Sequence, residues 1–428
     1  MTDADMVARS QEILHLVLGD GGPHDFAVRF WDGTVWGERA NPRFTLVLNH
    51  PEALRRMVSA NSDLGASEAF LFGDVDVEGD LEALFELAAG LGERDWLPAE
   101  QLRLLRKGMA LPSAGAAARD QRSRVGATMR GRKHSRERDR QAIAYHYDVS
   151  NRFYSLWLDE RMVYSCGYFR DADDDLDDAQ VAKLDHICRK LRLAPGERFL
   201  DIGCGWGALA MHAAKEYGAE AVGVTLSERQ YDLARERIGQ AGLQDSCRVE
   251  LMDYRDVATL GTFDKIASVG MFEHVGEAML PTYFKTAFDV LRPGGLFLNH
   301  GISHTVGPER RRRGPSSGDI YVFPDGELVP ISHALSVAEE TDFEVRDVES
   351  LRERYAETLR HWVRRLEAHE SEAVAEVGEE KYRVWRLFMA ASANGFASGR
   401  LNVYQALLSK PREDGRCELP PTREDLYA

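Results

Sequence analysis

The stretch that decides the fold is Phe199-Leu200-Asp201-Ile202-Gly203-Cys204-Gly205-Trp206-Gly207. Its first half is a short apolar run of the kind that forms a buried strand, and its second half is rich in glycine. Glycines let the backbone turn sharply and let a ligand approach the main chain closely. The sequence therefore predicts a strand over Arg198–Ile202, then a ligand-binding turn, then a helix.

Helical stretches separate this strand from four further apolar runs, an order that indicates βαβ units and a parallel sheet. These predicted strands are Ala221–Thr225, Arg248–Leu251, Lys265–Val269 and Leu296–His300. Ser371–Leu408 is predicted to be a long helical region interrupted by glycines. Nearer the N-terminus the sequence predicts strands over Phe26–Trp36 and Phe44–Leu48 and helices over Pro51–Met57 and Leu81–Leu87.

The length of 428 residues predicts two or three domains. We expect a small α+β domain over residues 1–108, a basic linker over 109–140 and an α/β domain over 141–428. No run of 18 apolar residues occurs, and the first ten residues lack a basic start, so we expect neither a membrane-spanning helix nor a signal peptide. The five cysteines are scattered without a CxxC pair, which predicts reduced thiols in a cytoplasm and no metal site.

The net charge of −16 argues against nucleic acid as a partner. Two stretches are nevertheless basic. Arg119–Arg140 holds eight arginines and one lysine against three acids, and Arg310–Arg313 is a quartet. Each stretch is explained by a solvated linker or loop, but together they also fit local contact with a phosphate-rich surface.

The glycine turn leaves two ligands open. Gly203, Gly205 and Ala208 satisfy the dinucleotide pattern G-x-G-x-x-[GA], which cradles a pyrophosphate. Asp201 and Gly207 instead favour S-adenosylmethionine, because a carboxylate is compatible with the cationic sulfonium. We favour S-adenosylmethionine and keep NAD as the alternative.

Two further turns are expected to contact the same ligand. Thr225-Leu226 ends the second strand and Gln230 follows soon after, although Ser227-x-x-Gln230 is also a capping box for the next helix. Asp253-Tyr254 follows the third strand and suits an adenine amino group and an adenine face, although a surface loop explains the pair equally well.

Several motifs then converge on one family. They are Tyr145-His146-Tyr147-Asp148-Val149-Ser150-Asn151, Tyr164-Ser165-Cys166-Gly167-Tyr168-Phe169, the glycine turn, Gly270-Met271-Phe272-Glu273-His274-Val275-Gly276, Leu298-Asn299-His300-Gly301-Ile302 and Tyr321-Val322-Phe323-Pro324-Asp325-Gly326. Together they closely resemble the cyclopropane-fatty-acyl-phospholipid synthases, which include the mycolic acid cyclopropane synthases. Phe30-Trp31-Asp32-Gly33 looks more like the actinobacterial members, including the tuberculostearic acid methyltransferases.

The resemblance implies a class I S-adenosylmethionine-dependent methyltransferase, with a Rossmann-like, mostly parallel sheet over 141–428 and a small α+β N-terminal domain. It implies that the cofactor is held by Tyr164, Ser165, Asp201, Gly203, Gly205, Gly207, Thr225, Leu226, Gln230, Asp253 and Tyr254. It also implies a bicarbonate ion held by Cys166, Glu273, His300, Tyr355 and the backbone of Ile302. Ser392 replaces a cysteine that some members carry, and alkene chemistry needs no thiol there.

The implied reaction explains these residue types. An isolated cis double bond is a poor nucleophile, so it must be oriented against the sulfonium methyl in a dry pocket. The resulting carbocation is stabilised by aromatic faces, for which Tyr147, Tyr168 and Phe272 are the candidates. Bicarbonate would accept the proton that leaves. The product is then a cyclopropane or an exocyclic methylene, which a separate reductase would convert to a methyl branch.

The expected substrate is an unsaturated, oleoyl-type phospholipid, met at the inner face of the membrane by a cytoplasmic, peripherally bound homo-oligomer. Two other functions stay open. One is an N-methyltransferase acting on a small amine, and the other is a non-catalytic lipid-binding protein.

Overall fold

The computed structural model of the chain describes residues 2–19, 25–37, 41–60, 63–93, 96–112, 129–147, 149–171, 173–306, 316–417 and 419–427. The chain divides into two compact units. The first comprises Met1–Thr128, Glu309–Val322 and Gly378–Asn394, and the second Met129–Pro308, Phe323–Val377 and Gly395–Ala428. The two later segments of the first unit lie in the part of the sequence that we expected to form the catalytic domain.

The first unit is built on a four-stranded sheet. Its elements before residue 110 are α1 (Asp3–Leu18), β1 (Phe26–Arg29), β2 (Val35–Trp36), β3 (Phe44–Leu48), α2 (Ala53–Ala60), α3 (Asp63–Leu71), β4 (Val75–Gly79), α4 (Leu81–Glu93) and α5 (Pro98–Met109). The strand order is β2-β1-β3-β4, with β1 and β3 parallel and the other pairs antiparallel. The predicted strands and both predicted helices are present. The sequence analysis missed β4, a five-residue strand between two glycine turns.

The rest of the chain supplies α6 (Arg136–Tyr147), α7 (Asn151–Ser155), α8 (Leu176–Lys190), β5 (Arg198–Ile202), α9 (Ala208–Tyr217), β6 (Glu220–Thr225), α10 (Glu228–Gln240), β7 (Cys247–Leu251), β8 (Phe263–Val269), α11 (Leu280–Val290), β9 (Leu291–His304), α12 (Ser317–Tyr321), α13 (Ile331–Glu340), β10 (Glu344–Ser350), α14 (Arg352–Ala368), α15 (Glu370–Val377), α16 (Glu379–Ala397), β11 (Leu401–Ser409) and α17 (Glu424–Tyr427). Three short 3₁₀ helices, Tyr254–Leu260, Phe272–His274 and Glu277–Met279, follow strands β7 and β8.

The second unit is built on a seven-stranded sheet in the order β10-β11-β9-β8-β5-β6-β7. The pairs from β9 to β7 are all parallel, as the βαβ pattern predicted. Helices cover both faces, so successive residues of a strand enter different cores. Phe199 belongs to one buried apolar cluster, whereas Leu200 and Ile202 belong to the other. The five predicted strands are confirmed.

The prediction of a helix as far as Leu408 is wrong. The chain turns after α16 at Gly399, which has a φ of +75°, and continues as β11 between β9 and β10, antiparallel to both. The apolar run after this turn fits a helix or a strand equally well. This run forms a strand because it pairs with β9 and β10, which are distant from it in the sequence. The local sequence does not encode that pairing.

The basic stretch Arg119–Arg140 falls only partly on described residues, and Arg310–Arg313 lies outside them. Within the second unit, four of the six lysines and arginines in the described part are paired with acids: Lys133 with Glu327, Arg136 with Asp256, Arg138 with Asp325 and Arg140 with Glu137. These cations are therefore largely neutralised. Among the described residues, no helix combines the length and apolar character needed to cross a membrane.

Candidate active site

The three glycines of the turn have positive φ angles, and each has a different environment. A Cβ atom at Gly203 would lie 2.7 Å from Cβ of Met271, and one at Gly207 would lie 3.2 Å from Cβ of Ala234. A Cβ atom at Gly205 would meet nothing within 4 Å. Gly203 and Gly207 thus allow close packing, whereas Gly205 keeps the backbone accessible from a cavity.

This cavity lies at the carboxyl ends of the parallel strands, where ligands of open α/β sheets bind. Of the residues expected to hold the cofactor, nine line it: Tyr164, Ser165, Asp201, Gly203, Gly205, Thr225, Leu226, Gln230 and Tyr254. Gly207 and Asp253 do not. The exposed backbone at Gly205, the buried carboxyl at Asp201 and the aromatic face of Tyr254 fit the parts of S-adenosylmethionine.

The turn after β6 both caps a helix and faces the cavity. Ser227 Oγ accepts the N–H of Gln230 at 3.3 Å, which caps α10 as predicted. The side chain of Gln230 does not complete a capping box, because its Oε1 accepts the hydroxyl of Thr225 at 2.7 Å. The amide NH2 of Gln230 is left as the donor available to a ligand.

In the turn after β7, Asp253 forms an ion pair with Arg255 that the sequence analysis did not predict. Both carboxylate oxygens of Asp253 bind the Arg255 guanidinium, Oδ1 with Nε at 2.7 Å and Oδ2 with Nη2 at 2.6 Å. The same Nη2 donates to Asp139 on α6 at 2.9 Å. Arg255 and Asp139 line the cavity. Asp253 therefore orients Arg255, and the polar groups nearest a ligand here are Arg255 and Asp139, which the sequence analysis missed.

A second group of polar atoms comes from β9 and from the turn after β8. Glu273 Oε1 accepts the N–H of Ile302 at 2.6 Å, and Glu273 Oε2 is buried without a hydrogen-bond partner among the described residues. Gln405 Nε2 lies 3.2 Å from His300 Nδ1. In this orientation of the Gln405 amide, Nδ1 accepts the hydrogen bond and His300 Nε2 carries the proton. That Nε2 atom is also buried without a described partner.

Burial determines the protonation of this pair. It raises the pKa of Glu273 to about 7, against the effect of the Ile302 amide, and it lowers the pKa of His300 to about 3. His300 is therefore a neutral donor at physiological pH. Glu273 Oε2 and His300 Nε2 are thus two buried polar atoms without a described partner, which is costly, and a small hydrogen-bonding anion would satisfy them.

Three buried tyrosines lie near Glu273. Burial, and then the charge of Glu273, raises the pKa of Tyr147; burial together with several neighbours including Glu273 raises those of Tyr164 and Tyr355. Burial also raises the pKa of Cys166 to about 12, so its thiol stays protonated. Of the residues expected to hold bicarbonate, Tyr355 therefore lies near both Glu273 and Cys166, and Glu273 already binds the Ile302 amide. Contact of these residues with bicarbonate stays a prediction.

Of the three aromatic candidates for stabilising a cation, Tyr147 lines the cavity. Phe272 packs against Gly301, where a Cβ atom would lie 2.9 Å from Phe272 Cδ1. Tyr168 stacks on His186 with 4.1 Å between ring centroids, and the Arg354 guanidinium covers it at 4.2 Å. Packing therefore accounts for Phe272 and Tyr168.

Lys183, which the sequence analysis missed, and His274, which it interprets as structural, also line the cavity. His274 follows Glu273, and burial lowers its pKa to about 4. Lys183 lies on the buried side of α8 with Ala179, Leu184 and Ile187. A lysine between apolar residues at helical spacing was the sequence signal that could have revealed it.

We predict that Gly205→Val abolishes binding of S-adenosylhomocysteine, because its side chain would enter the cavity. Calorimetric titration measures this. The control is Gly242→Val, since Gly242 also has positive φ, +69°, and open space around its Cβ position but does not line the cavity. Both variants should lose similar stability from backbone strain. Tight binding by Gly205→Val would contradict the assignment of the glycine turn.

We predict that Glu273→Gln gains stability relative to the wild type as the pH rises. The folded state holds a proton on Glu273 up to a pKa of about 7, whereas the unfolded chain releases it near 4.5, so wild-type stability falls across this interval. The difference in unfolding free energy should grow by about 2 kcal/mol between pH 5 and pH 8 in urea titrations. The control is Glu277→Gln, which removes an exposed carboxylate. A difference that does not vary with pH would count against a protonated, buried Glu273.

Comparison with known proteins agrees with this geometry. The family model for mycolic acid cyclopropane synthetase matches residues 134–406, and one for a domain of unknown function matches residues 14–93. A probable fatty acid methyltransferase of Pseudomonas putida is 41% identical over 408 residues, which cover 94% of this chain and 95% of the relative. A tuberculostearic acid methyltransferase of Mycobacterium tuberculosis is 35% identical over 87% of this chain and 85% of its own length.

A solved structure of a mycolic acid cyclopropane synthase complexed with SAH and CTAB is 33% identical. Its TM-score is 0.60, and the match covers 63% of this chain and 98% of that one. The family match spans more than half of the chain and includes both the glycine turn and the Glu273–His300 group. The chain therefore belongs to the mycolic acid cyclopropane synthetase family of S-adenosylmethionine-dependent methyltransferases, which act on lipids.

Proposed function

We propose that this methyltransferase transfers a one-carbon unit to the cis double bond of an unsaturated acyl chain in a phospholipid, with deprotonation by a bound bicarbonate. The observation that carries the proposal is the pair of unpartnered buried atoms, Glu273 Oε2 and His300 Nε2. Methylation of an amine requires no such anion site, because the amine nitrogen has its own lone pair. A carbocation on an acyl chain, in contrast, needs a base in a site that excludes water.

Each part of the site would have a different role in the proposed reaction. S-adenosylmethionine supplies an electrophilic methyl group when it is bound. The glycine turn and Asp201 hold its methionine end, and Tyr147 presents an aromatic ring to the cavity. Neutral His300 would donate through Nε2 to the anion, and Glu273, fixed by the Ile302 amide, would also hold it. Bicarbonate supplies an exchangeable base when it is bound.

We propose a methylene-bearing acyl chain as the product, with a cyclopropane as the alternative outcome of the same reaction. In support, the relatives named fatty acid or tuberculostearic acid methyltransferase match 87% or more of this chain. The solved cyclopropane synthase matches only 63% of this chain. Incubation with oleoyl phospholipid vesicles and S-adenosylmethionine, then proton NMR of the extracted lipid, tests this. Vinylidene signals support the proposal, upfield ring protons indicate the cyclopropane, and methylation of ethanolamine compounds alone would overturn the lipid assignment.

We predict that Glu273→Gln loses most turnover, about 100-fold or more, while its affinity for S-adenosylhomocysteine stays within a few-fold. Glu273 binds the Ile302 amide and does not line the cofactor cavity. Incorporation of labelled methyl into lipid and calorimetry measure the two quantities. Glu277→Gln, which removes an exposed carboxylate, should leave both unchanged. A large loss of cofactor affinity in a folded Glu273→Gln variant would show that the division of roles is wrong.

The first unit offers a surface suited to a bilayer. On α5, Leu102, Leu105 and Met109 recur at helical spacing and are 49%, 39% and 66% exposed. Arg103 and Arg106 are exposed beside this stripe. Elsewhere along its surface α5 packs on α1 and α2, and Gly108 is buried. An apolar stripe flanked by cations fits the surface of an anionic phospholipid membrane, and we propose that α5 docks there.

We predict that the triple variant Leu102→Gln, Leu105→Gln, Met109→Gln sediments several-fold less with anionic vesicles than the wild type. Glutamine preserves helix propensity, so the loss reports the apolar stripe. Arg103→Gln with Arg106→Gln should instead flatten the salt dependence of binding. Val35→Gln, on β2 and 54% exposed, is the matched control. Unchanged sedimentation of the triple variant, or a change in oligomeric state instead, would overturn docking by α5.

A further inference from the structure

Lys183 is a buried lysine with spare hydrogen-bonding capacity at the wall of the cofactor cavity. It is 2% exposed. Its Nζ donates to Ser165 Oγ at 2.9 Å, the one hydrogen bond recorded for this side chain among the described residues. An ammonium group carries three N–H donors, and a lysine is almost never fully buried unless it is paired. Lys183 and Ser165 both line the cavity.

The acids near Lys183 do not neutralise it by contact. Among the described residues, no carboxylate oxygen lies within the 4 Å of an ion pair with Lys183 Nζ. Asp159 is within Coulombic range, but its oxygens accept the N–H groups of Val163 at 2.7 Å and Arg161 at 3.0 Å. Asp201 is also within Coulombic range and lines the cavity. The charge of Lys183 is therefore available to an anionic group inside the cavity.

Lys183 and Asp201 together match a zwitterion. One cation and one anion, not in direct contact, face the same cavity beside the glycine turn. The amino-acid end of S-adenosylmethionine carries an ammonium and a carboxylate on the same carbon. Burial lowers the pKa of Lys183 to about 8 and raises that of Asp201 to about 7, because burial penalises each charge. A zwitterion bound between the two side chains would give each of them an oppositely charged partner.

We propose that Lys183, oriented by Ser165, binds the methionine carboxylate of the cofactor, opposite Asp201, which faces the ammonium. The inference rests on the cofactor of the family and not on the proposed lipid substrate. Its test uses binding alone, so failure of the lipid proposal would leave it unaffected.

The test compares two ligands of the full-length protein by calorimetry. S-adenosylhomocysteine carries the amino-acid end, and 5′-methylthioadenosine lacks it. Lys183→Met should weaken binding of S-adenosylhomocysteine about 10- to 100-fold, the range for a charge-assisted hydrogen bond. It should leave binding of 5′-methylthioadenosine within about two-fold. A merely structural role would change both affinities together.

Two further variants complete the test. Lys190→Met removes another buried lysine of α8, one paired with Glu349 at 2.6 Å and outside the cavity lining, and should preserve the ratio of the two affinities. Ser165→Ala removes the orienting hydroxyl without a change of charge and should weaken S-adenosylhomocysteine about 3- to 10-fold, again selectively. Lys183→Gln, which removes the charge but keeps a polar side chain, decides the case if Lys183→Met does not fold.

Two results would overturn the proposal. One is an equal loss for both ligands, and the other is no loss for S-adenosylhomocysteine. The second result would place the Lys183 charge at the anion site instead, where it already lowers the pKa of His300.

Discussion

Burial of ionisable side chains at the carboxyl edge of the parallel sheet is the constraint on which the rest of the site depends. Burial moves the pKa of Asp201 and Glu273 up to about 7, that of Lys183 down to about 8 and that of His300 down to about 3. All four pKa shifts favour the neutral form of the side chain, because an unpaired charge in this buried site costs free energy. A ligand that places an opposite charge beside one of these side chains offsets this cost. The offset contributes to the free energy of binding.

Two glycines allow the sheet to bring these groups together. The turn after β8 approaches the neighbouring strands on both sides, with Met271 against Gly203 and Phe272 against Gly301. Side chains at either glycine would lie within 3 Å of these residues. The close approach places Glu273 where its carboxylate reaches the Ile302 amide. The glycines of both sequence motifs are therefore required by packing as well as by ligand access.

The sequence predicted what local patterns encode. The five apolar strands, the glycine turn and the cap at Ser227 depend on residues close in the chain, and the structure confirms them. The sequence misassigned β11, which depends on distant partners, and it did not reveal contacts between distant segments. The strand β11 exists because β9 and β10 pair with it, and Asp253 is held by Arg255, which also binds Asp139 on α6. The sequence analysis did not identify Lys183, because its hydrogen-bond partner Ser165 lies on another segment.

The geometry also explains why a small bound anion suits the proposed reaction better than a side-chain base. The Cys166 thiol, with a pKa of about 12, is too weakly acidic to supply a thiolate, and His300, with a pKa of about 3, is too weakly basic to retain a proton. Glu273 is basic enough, but the Ile302 amide holds one of its oxygens in place. A base that moves through the site would take the proton to solvent without displacing these buried groups. The side chains can then stay fixed, which is the preorganisation that transfer to a weakly nucleophilic alkene requires.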